Sequence, residues 1–288
     1  MSVIQSIILG LIQGLTEFLP VSSSAHLLIF RKLLHVADDQ TVLFTVLLHF
    51  GTITAVVVSF SKDLKRLLLA LCGIAVDALH NLKVFITDKN RGQKQYRKLF
   101  GTNYRRLALY LMITMIPTAL IGCASIPLVE MMSGNLLAPG VGLYLTALML
   151  TVADMLPDGE KTPRNMKAQD AFLAGVFQGF SAIPGLSRLG TTISACVIGG
   201  MSRTFAVKYS MLASVPAVIG ALIAELIRMP GNKMVFQAVY IPGMIAAAIV
   251  GFLAIRLLLR AVRSRKLRLF AVYCLVIGTL SIAGYYLL

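Results

Sequence analysis

Charge is what this sequence has least of: 14% of its 288 residues are charged, against about 25% in an ordinary soluble domain. Together with a hydrophobic content of 57%, the deficit excludes a water-soluble globular chain and points to lipid as the solvent. Nucleotide-binding signatures are missing too. There is no G-x-x-x-x-G-K-[ST] and no G-x-G-x-x-G between a strand and a helix, so nucleotide use is not indicated. The cysteines Cys72, Cys123, Cys196 and Cys274 stand singly in apolar surroundings with no C-x-x-C spacing, which suggests neither a zinc site nor a disulfide framework. The N-terminus lacks the basic leader of a signal peptide and carries Gln5, Gln13 and Glu17 inside its apolar run, so it is read as mature structure.

Acidic residues are scarce as well, 12 against 27 Lys and Arg, for a net charge of +15. Such an excess can mark a nucleic-acid binder, but here the cations cluster between apolar segments, at Lys62, Lys65 and Arg66, from Lys83 to Arg106, and from Arg256 to Arg268. Loops this rich in Lys and Arg stay on the cytoplasmic side of a membrane, and they rest against anionic lipid headgroups. No nucleic-acid partner is expected. The poorly charged segments around 130–139 and 228–234 belong outside, together with the N-terminus.

What is present in quantity is apolar sequence. A spanning helix needs roughly 20 mostly apolar residues, and six segments qualify, at about 41–60, 107–129, 136–156, 204–227, 235–259 and 269–288. Two further apolar stretches, 1–30 and 168–201, are interrupted near their middles, the first by Pro20 and Ser22 to Ser24, the second by Pro184, Gly185 and Ser187. Ile12-Gln13-Gly14-Leu15-Thr16 matches Phe177-Gln178-Gly179-Phe180-Ser181, and each copy soon reaches its proline. The expected fold is an all-α polytopic membrane protein, a single integral membrane domain over 1–288. Residues 1–156 and 168–288 form its two halves, joined by a polar linker at 157–167. Three crossings per half make this an inverted-topology repeat, whose two broken helices re-enter the membrane and meet near its midplane. Non-helical backbone is tolerated at that depth only where it is buried in protein or lines a wet cavity, so the breaks mark the expected site.

Glu17 is the first candidate, because an ionisable group at the centre of a membrane segment costs about 2.5–3.5 kcal/mol on insertion scales and is retained for function. Gln13 lies one helical turn before it. The run Ser22-Ser23-Ser24 followed by His26 sets hydroxyls beside an imidazole, residue types suited to nucleophilic attack or proton transfer; each serine is equally well explained as a helix cap. His35 and His49 lack such surroundings, although His49, beside Gly51, is a weaker candidate for the cavity wall. In the second break Gly185, Ser187, Arg188, Gly190, Thr191 and Thr192 combine permissive backbone, hydroxyls and a guanidinium, a cradle for phosphate oxygens. Asp77, Glu130, Asp154 and Glu225 are assigned no chemistry.

The stretch from Gln13 to His26 resembles the E/Q-G-x-T-E-F-L-P-[VI]-S-S-[TS]-[GA]-H motif of the undecaprenyl pyrophosphate phosphatase family of the bacitracin-resistance type. Pro184 to Thr192 is similar to that family's P-G-x-S-R-S-x-x-T. The likeness extends over nearly the whole chain, including Ser202 to Pro216. It implies hydrolysis of undecaprenyl diphosphate to the monophosphate at the outer face of the bacterial cytoplasmic membrane, recycling the lipid carrier of cell-wall synthesis. By the same resemblance Glu17, His26, Ser23 and Arg188 form the catalytic centre, with Ser23 a candidate nucleophile or phosphate ligand. Gln13, Ser22, Gly185, Ser187 and Thr192 contact the diphosphate, and a divalent cation, usually magnesium, binds at Glu17. A homodimer is compatible with the family. Three positions depart from the pattern: Gln13 stands where many members have Glu, Leu189 replaces the second Ser of S-R-S, and Lys208 lies where some members carry Glu. Broken helices in an inverted repeat are also the signature of secondary carriers, so the alternative expectation is a transporter or lipid-carrier flippase that binds an anionic headgroup at the same two loops.

Overall fold

The computed structural model describes residues 1–36, 41–87, 96–132, 134–228, 236–263 and 266–287. Among them the chain forms twelve helices and no strand. The first hairpin is α1 (Val3–Phe18) and α2 (Ser23–Leu33). A capping box opens α1: Ser2 Oγ accepts the Gln5 N–H at 3.2 Å, and the Gln5 side chain accepts the Ser2 N–H at 2.7 Å, which satisfies two donors a helix start leaves bare. Gln5 Nε2 also donates to the Leu34 carbonyl at 2.9 Å, so the start of α1 is tied to the end of α2. Pro20 closes α1 by forcing its predecessor out of the helical region, and Leu19 is extended at φ −97, ψ 146. The second hairpin is α8 (Ala168–Phe180) and α9 (Arg188–Ile198), broken over 181–187.

The remaining long helices are α3 (Thr41–Ser59), α4 (Ser61–Thr87), α5 (Asn103–Ala124), α7 (Leu137–Met155), α10 (Arg203–Arg228), α11 (Tyr240–Arg263) and α12 (Leu267–Leu287), with a short α6 (Ile126–Met132) after α5. All six expected crossings are therefore helical, as α3, α5, α7, α10, α11 and α12. The expected segment 107–129 is divided, because Ser125 ends α5 before α6 begins. One long helix was not anticipated from the sequence. Residues 61–87, assigned there to a basic connection, form α4, which by length and hydropathy alone counts with α5, α7, α10, α11 and α12 among six helices of the described residues able to cross a membrane, whereas α3 ranks with the shorter apolar helices.

The contacts of α4 set it across the end of α5 instead of alongside. Asp63 accepts from Tyr104 Oη at 2.7 Å, whereas Asp77 pairs with Arg105 at 2.7 Å and Arg97 at 3.1 Å. Asp63 and Asp77 lie about 21 Å apart along a helix rising 1.5 Å per residue, yet their partners Tyr104 and Arg105 are neighbours in the first turn of α5. A helix running parallel to α5 would meet partners equally far apart. Its apolar residues Leu68, Leu79, Phe85 and Ile86 stay exposed beside Lys62, Lys65 and Arg66, the pattern of an amphipathic helix lying in the headgroup plane.

Each broken helix packs its first arm on a helix of the other half, α1 along α11 and α8 along α5. Small residues permit this approach, as is usual between helices in lipid. A Cβ on Gly10 would lie 2.1 Å from the Gly243 carbonyl oxygen, and one on Gly175 would lie 2.2 Å from that of Thr114. Gly10 and Gly175 each stand three residues before the matched glutamines Gln13 and Gln178. The buried core, with Leu143, Leu150, Ile193, Met201, Tyr209 and Leu212, lies where α7, α9 and α10 meet. Leu120, Leu148 and Ile249 on the outer faces remain exposed, as side chains facing lipid do. Asp39, expected on the outer side, and Gln93, expected on the cytoplasmic side within the basic stretch from Lys83 to Arg106, lie outside the described residues.

These close approaches predict that Gly10→Val or Gly175→Val forces the helix pairs apart and destabilises the protein by about 1–3 kcal/mol, the usual cost of overpacking. Gly122→Ala, where an added Cβ meets nothing within 4 Å, serves as the neutral control. Monodispersity after heating, followed by size-exclusion chromatography in detergent, checks the outcome; equal thermal profiles for all three variants would contradict it.

Candidate active site

The last turn of α1 supplies the acidic side of the site. Gln13 and Glu17 lie on one helix face, and Gln13 Nε2 donates to Glu17 Oε2 at 3.0 Å. Beyond Pro20 the chain reverses through Ser22, a non-glycine residue at φ 66, whose Oγ accepts the Ala25 N–H at 3.5 Å as the cap of α2. This reversal folds the start of α2 back over the end of α1, and Ser23 Oγ donates to Glu17 Oε2 at 2.7 Å. The Glu17 side chain is only 8% exposed, so water contributes little to solvating its charge.

The second break supplies the cation. Ser187 caps α9 by accepting the Gly190 N–H at 3.0 Å, and its own N–H donates to Thr146 Oγ1 on α7 at 3.0 Å. Gly185 adopts φ 89, and a Cβ there would lie 2.2 Å from the Pro139 carbonyl oxygen, so glycine is required both by the dihedral and by the space. Arg188, the first residue of α9, sends Nη1 to Glu17 Oε1 at 3.1 Å across 171 residues of sequence. Its Nε and Nη2 have no protein acceptor among the described residues. A second link between the breaks runs from the Gly185 N–H to Ser24 Oγ at 3.4 Å.

The structure thus brings Gln13, Glu17, Ser23 and Arg188 together and distributes the other expected residues around them. The Ser22 hydroxyl caps α2 and lies 3.1 Å from Ser24 Oγ. Ser187 Oγ is occupied with its helix cap. Thr192 turns back to its own helix, donating to the Arg188 carbonyl at 2.7 Å, which steadies the backbone behind the guanidinium. His26 is buried and makes no hydrogen bond or ion pair with Glu17 or Arg188. Its Nδ1 lies 2.8 Å from the Ser22 carbonyl oxygen, and its Nε2 lies 2.8 Å from Tyr273 Oη on α12, with the two rings stacked. A carbonyl only accepts, so Nδ1 carries the proton and Nε2 accepts from the tyrosine.

Two contributors were not identified from sequence: Thr146, which receives the second break, and Tyr273, which holds His26. His49 on α3, the weaker candidate for the cavity wall, brings Nε2 to 3.8 Å from Glu17 Oε2. None of them lies in either motif, and only the packing of α7, α12 and α3 against the breaks selects them. Glu17 and Arg188 face a pocket whose other lining comes mainly from α3 and α10, with Phe18, Ile53, Val56, Leu189, Val215 and Val218 among it. Charged and apolar side chains thus share the lining of one small cavity.

No three side chains from His, Cys, Asp and Glu converge among the described residues. The oxygen donors at hand are the Glu17 carboxylate, the Ser23 hydroxyl and Gln13 Oε1, which is buried without a hydrogen-bond partner.

The model of the family described as bacitracin resistance protein BacA matches residues 6–280. The undecaprenyl-diphosphatase of Methanobrevibacter smithii is 36% identical over 99% of this chain and 98% of its own length. That of Korarchaeum cryptofilum is 34% identical over 96% and 97%, and that of Syntrophotalea carbinolica is 36% identical over 98% and 99%. With the family model spanning both helix breaks and these relatives aligned almost end to end, the chain belongs to the bacitracin resistance protein BacA family.

Proposed function

We propose that this chain hydrolyses undecaprenyl diphosphate to undecaprenyl phosphate and inorganic phosphate within a membrane. The observation that carries the proposal is the ion pair between Glu17 and Arg188, which joins the two helix breaks on the floor of an apolar-walled pocket. The relatives bear the name of this activity, and no feature of the site favours the carrier alternative over it.

The isoprenoid chain lies against the apolar walls, with its diphosphate on the floor. Arg188 offers the free edge of a planar fork that matches two phosphate oxygens. The positive ends of α2 and α9 both open at the breaks and add their unsatisfied N–H groups to the same anion. Phosphoryl transfer relies chiefly on such positioning and charge stabilisation. Ser23 Oγ already donates to Glu17, so Glu17 is placed to take a proton from that hydroxyl or from a water that replaces it. His26, clamped between the Ser22 carbonyl and Tyr273, holds the turn that presents Ser23. A divalent cation fits the donor set in the manner of Mg²⁺, which is commonly held by one or two carboxylates, retained waters and substrate phosphates. Glu17 and Gln13 Oε1 would hold it, and when bound it would neutralise charge on the diphosphate. The ion pair closes within one chain, so the reading requires no second copy. We place the site on the outer side of the cytoplasmic membrane, a reading supported by the basic residues gathered around α4, the start of α5 and the α11–α12 connection.

Arg188→Ala is expected to lower phosphate release tenfold or more, since a hydrogen bond to a charged group contributes roughly 1.5–3 kcal/mol. Arg188→Lys should not restore it, because an ammonium lacks the fork. Near-normal release by the Lys variant would defeat bidentate binding.

Glu17→Gln should reduce the rate by about 10²–10⁴ in protein that still inserts, the range for a positioned proton-transfer group. Chelation by EDTA should abolish release, and added Mg²⁺ should restore it. Full turnover in metal-free protein would remove the cation from the reaction and leave Glu17 as the base.

In a background lacking the native cysteines, His35→Cys should react with an impermeant maleimide in intact cells, whereas Tyr96→Cys should react only after permeabilisation. The opposite pattern would place the site on the cytoplasmic side.

A further inference from the structure

His49 stands outside both motifs, yet α3 carries its imidazole to Glu17. Its Nδ1 lies 2.9 Å from the Thr45 carbonyl oxygen, an acceptor only, so in the neutral ring the proton sits on Nδ1 and the lone pair on Nε2. That lone pair is on the atom nearest Glu17 Oε2, at 3.8 Å. The separation exceeds the roughly 2.7–3.2 Å of an N–H···O hydrogen bond, so the two groups do not satisfy each other. It falls inside the span of two metal bonds, since a divalent ion binds imidazole nitrogen and carboxylate oxygen at about 2.0–2.2 Å each.

Two further observations point to an ion there. Gln13 Oε1 is a wholly buried acceptor with no partner, on the residue whose amide nitrogen already touches Glu17. In addition, an imidazole anchored through one ring nitrogen to a backbone carbonyl is how metal-bound histidines are generally oriented. His26 is anchored in the same way, but Tyr273 occupies its other nitrogen.

We propose that His49 is a nitrogen ligand of the divalent cation at Glu17, with Gln13 Oε1 as the third protein donor. The inference rests on the function proposed above and deepens it. A nitrogen donor adds affinity for a first-row transition ion and little for Mg²⁺, which prefers oxygen, so this chain should bind Mn²⁺ more tightly than Mg²⁺. In other respects the site still takes water and phosphate oxygens at its open positions.

The test is Mn²⁺ binding to the full chain, purified in detergent, stripped with EDTA and free of substrate. Loss of the free-ion electron paramagnetic resonance signal gives affinity, and competition by Mg²⁺ gives preference. Pulsed spectra of bound Mn²⁺ should show coupling to an imidazole nitrogen in the wild type. His49→Gln should abolish that coupling and weaken Mn²⁺ binding about tenfold or more, the scale on which metal sites respond to loss of supporting groups. His26→Gln should leave the coupling in place. Absence of nitrogen coupling in wild-type protein overturns the proposal whether or not the variants fold, as does failure to bind Mn²⁺ at millimolar concentration. Coupling that survives His49→Gln also overturns it. Phosphate release by the same wild-type preparation, reconstituted with Mg²⁺, separates the outcomes: release without nitrogen coupling rejects His49 alone, whereas no release rejects the phosphatase reading itself.

Discussion

Two interruptions of helical backbone inside an apolar protein impose the constraint on which the rest of this structure depends. Lipid offers no partner to a bare N–H or carbonyl, so the groups freed at 19–22 and 181–187 must find theirs within the protein. Hydroxyls meet much of that need. Ser22 and Ser187 cap the two following helices, Thr146 receives the Ser187 N–H, and Ser24 receives the Gly185 N–H from the opposite break. Ser22, Ser24 and Ser187 therefore serve the backbone, and Ser23 alone of the motif serines turns to Glu17. Satisfying the breaks also aims two helix starts at one place, and that place is where an anionic head would be held.

The central ion pair is better understood as a means of positioning than as a source of stability. Burying a carboxylate carries a desolvation cost that a single partner only partly offsets, and Glu17 has three partners, Gln13, Ser23 and Arg188. The geometry that brings these groups together is set elsewhere, by α1 pressed on α11 and α8 pressed on α5 at glycines that admit no side chain. The acid and the cation come from opposite halves, so the site exists only when both halves are packed together.

The basic surface has a different origin. Tyr104 and Arg105, at the first turn of α5, bind Asp63 and Asp77 and thereby lay α4 across the helix end. Lys208 joins the same group through Asp63 at 2.7 Å, which gives one of the positions departing from the family pattern a structural partner. The charges that set the expected orientation of the chain thus also build a rim around its helix ends.

Much of the architecture was legible in the sequence because lipid punishes polarity. Six apolar stretches read as crossings and all are helical; Pro20 and Pro184, each close to serines, marked the breaks, whereas Pro117 and Pro216 lie inside continuous helices; and Glu17 and Arg188 were conspicuous because a charge within an apolar stretch requires a reason. α4 escaped the reading because Lys62, Asp63, Lys65, Arg66, Asp77 and Lys83 marked its sequence as a basic connection, although its length and hydropathy alone allow a crossing. Residue type by itself identified hydroxyls, imidazoles and a guanidinium near the breaks, but not their partners. That Ser187 and Thr192 turn to backbone, that His26 is held by Tyr273 from 247 residues away, and that His49 reaches Glu17 all depend on the rotation and depth of each helix. Those are fixed only when the helices pack, because a side chain's local sequence sets its chemistry while its neighbours across the interface set what that chemistry meets.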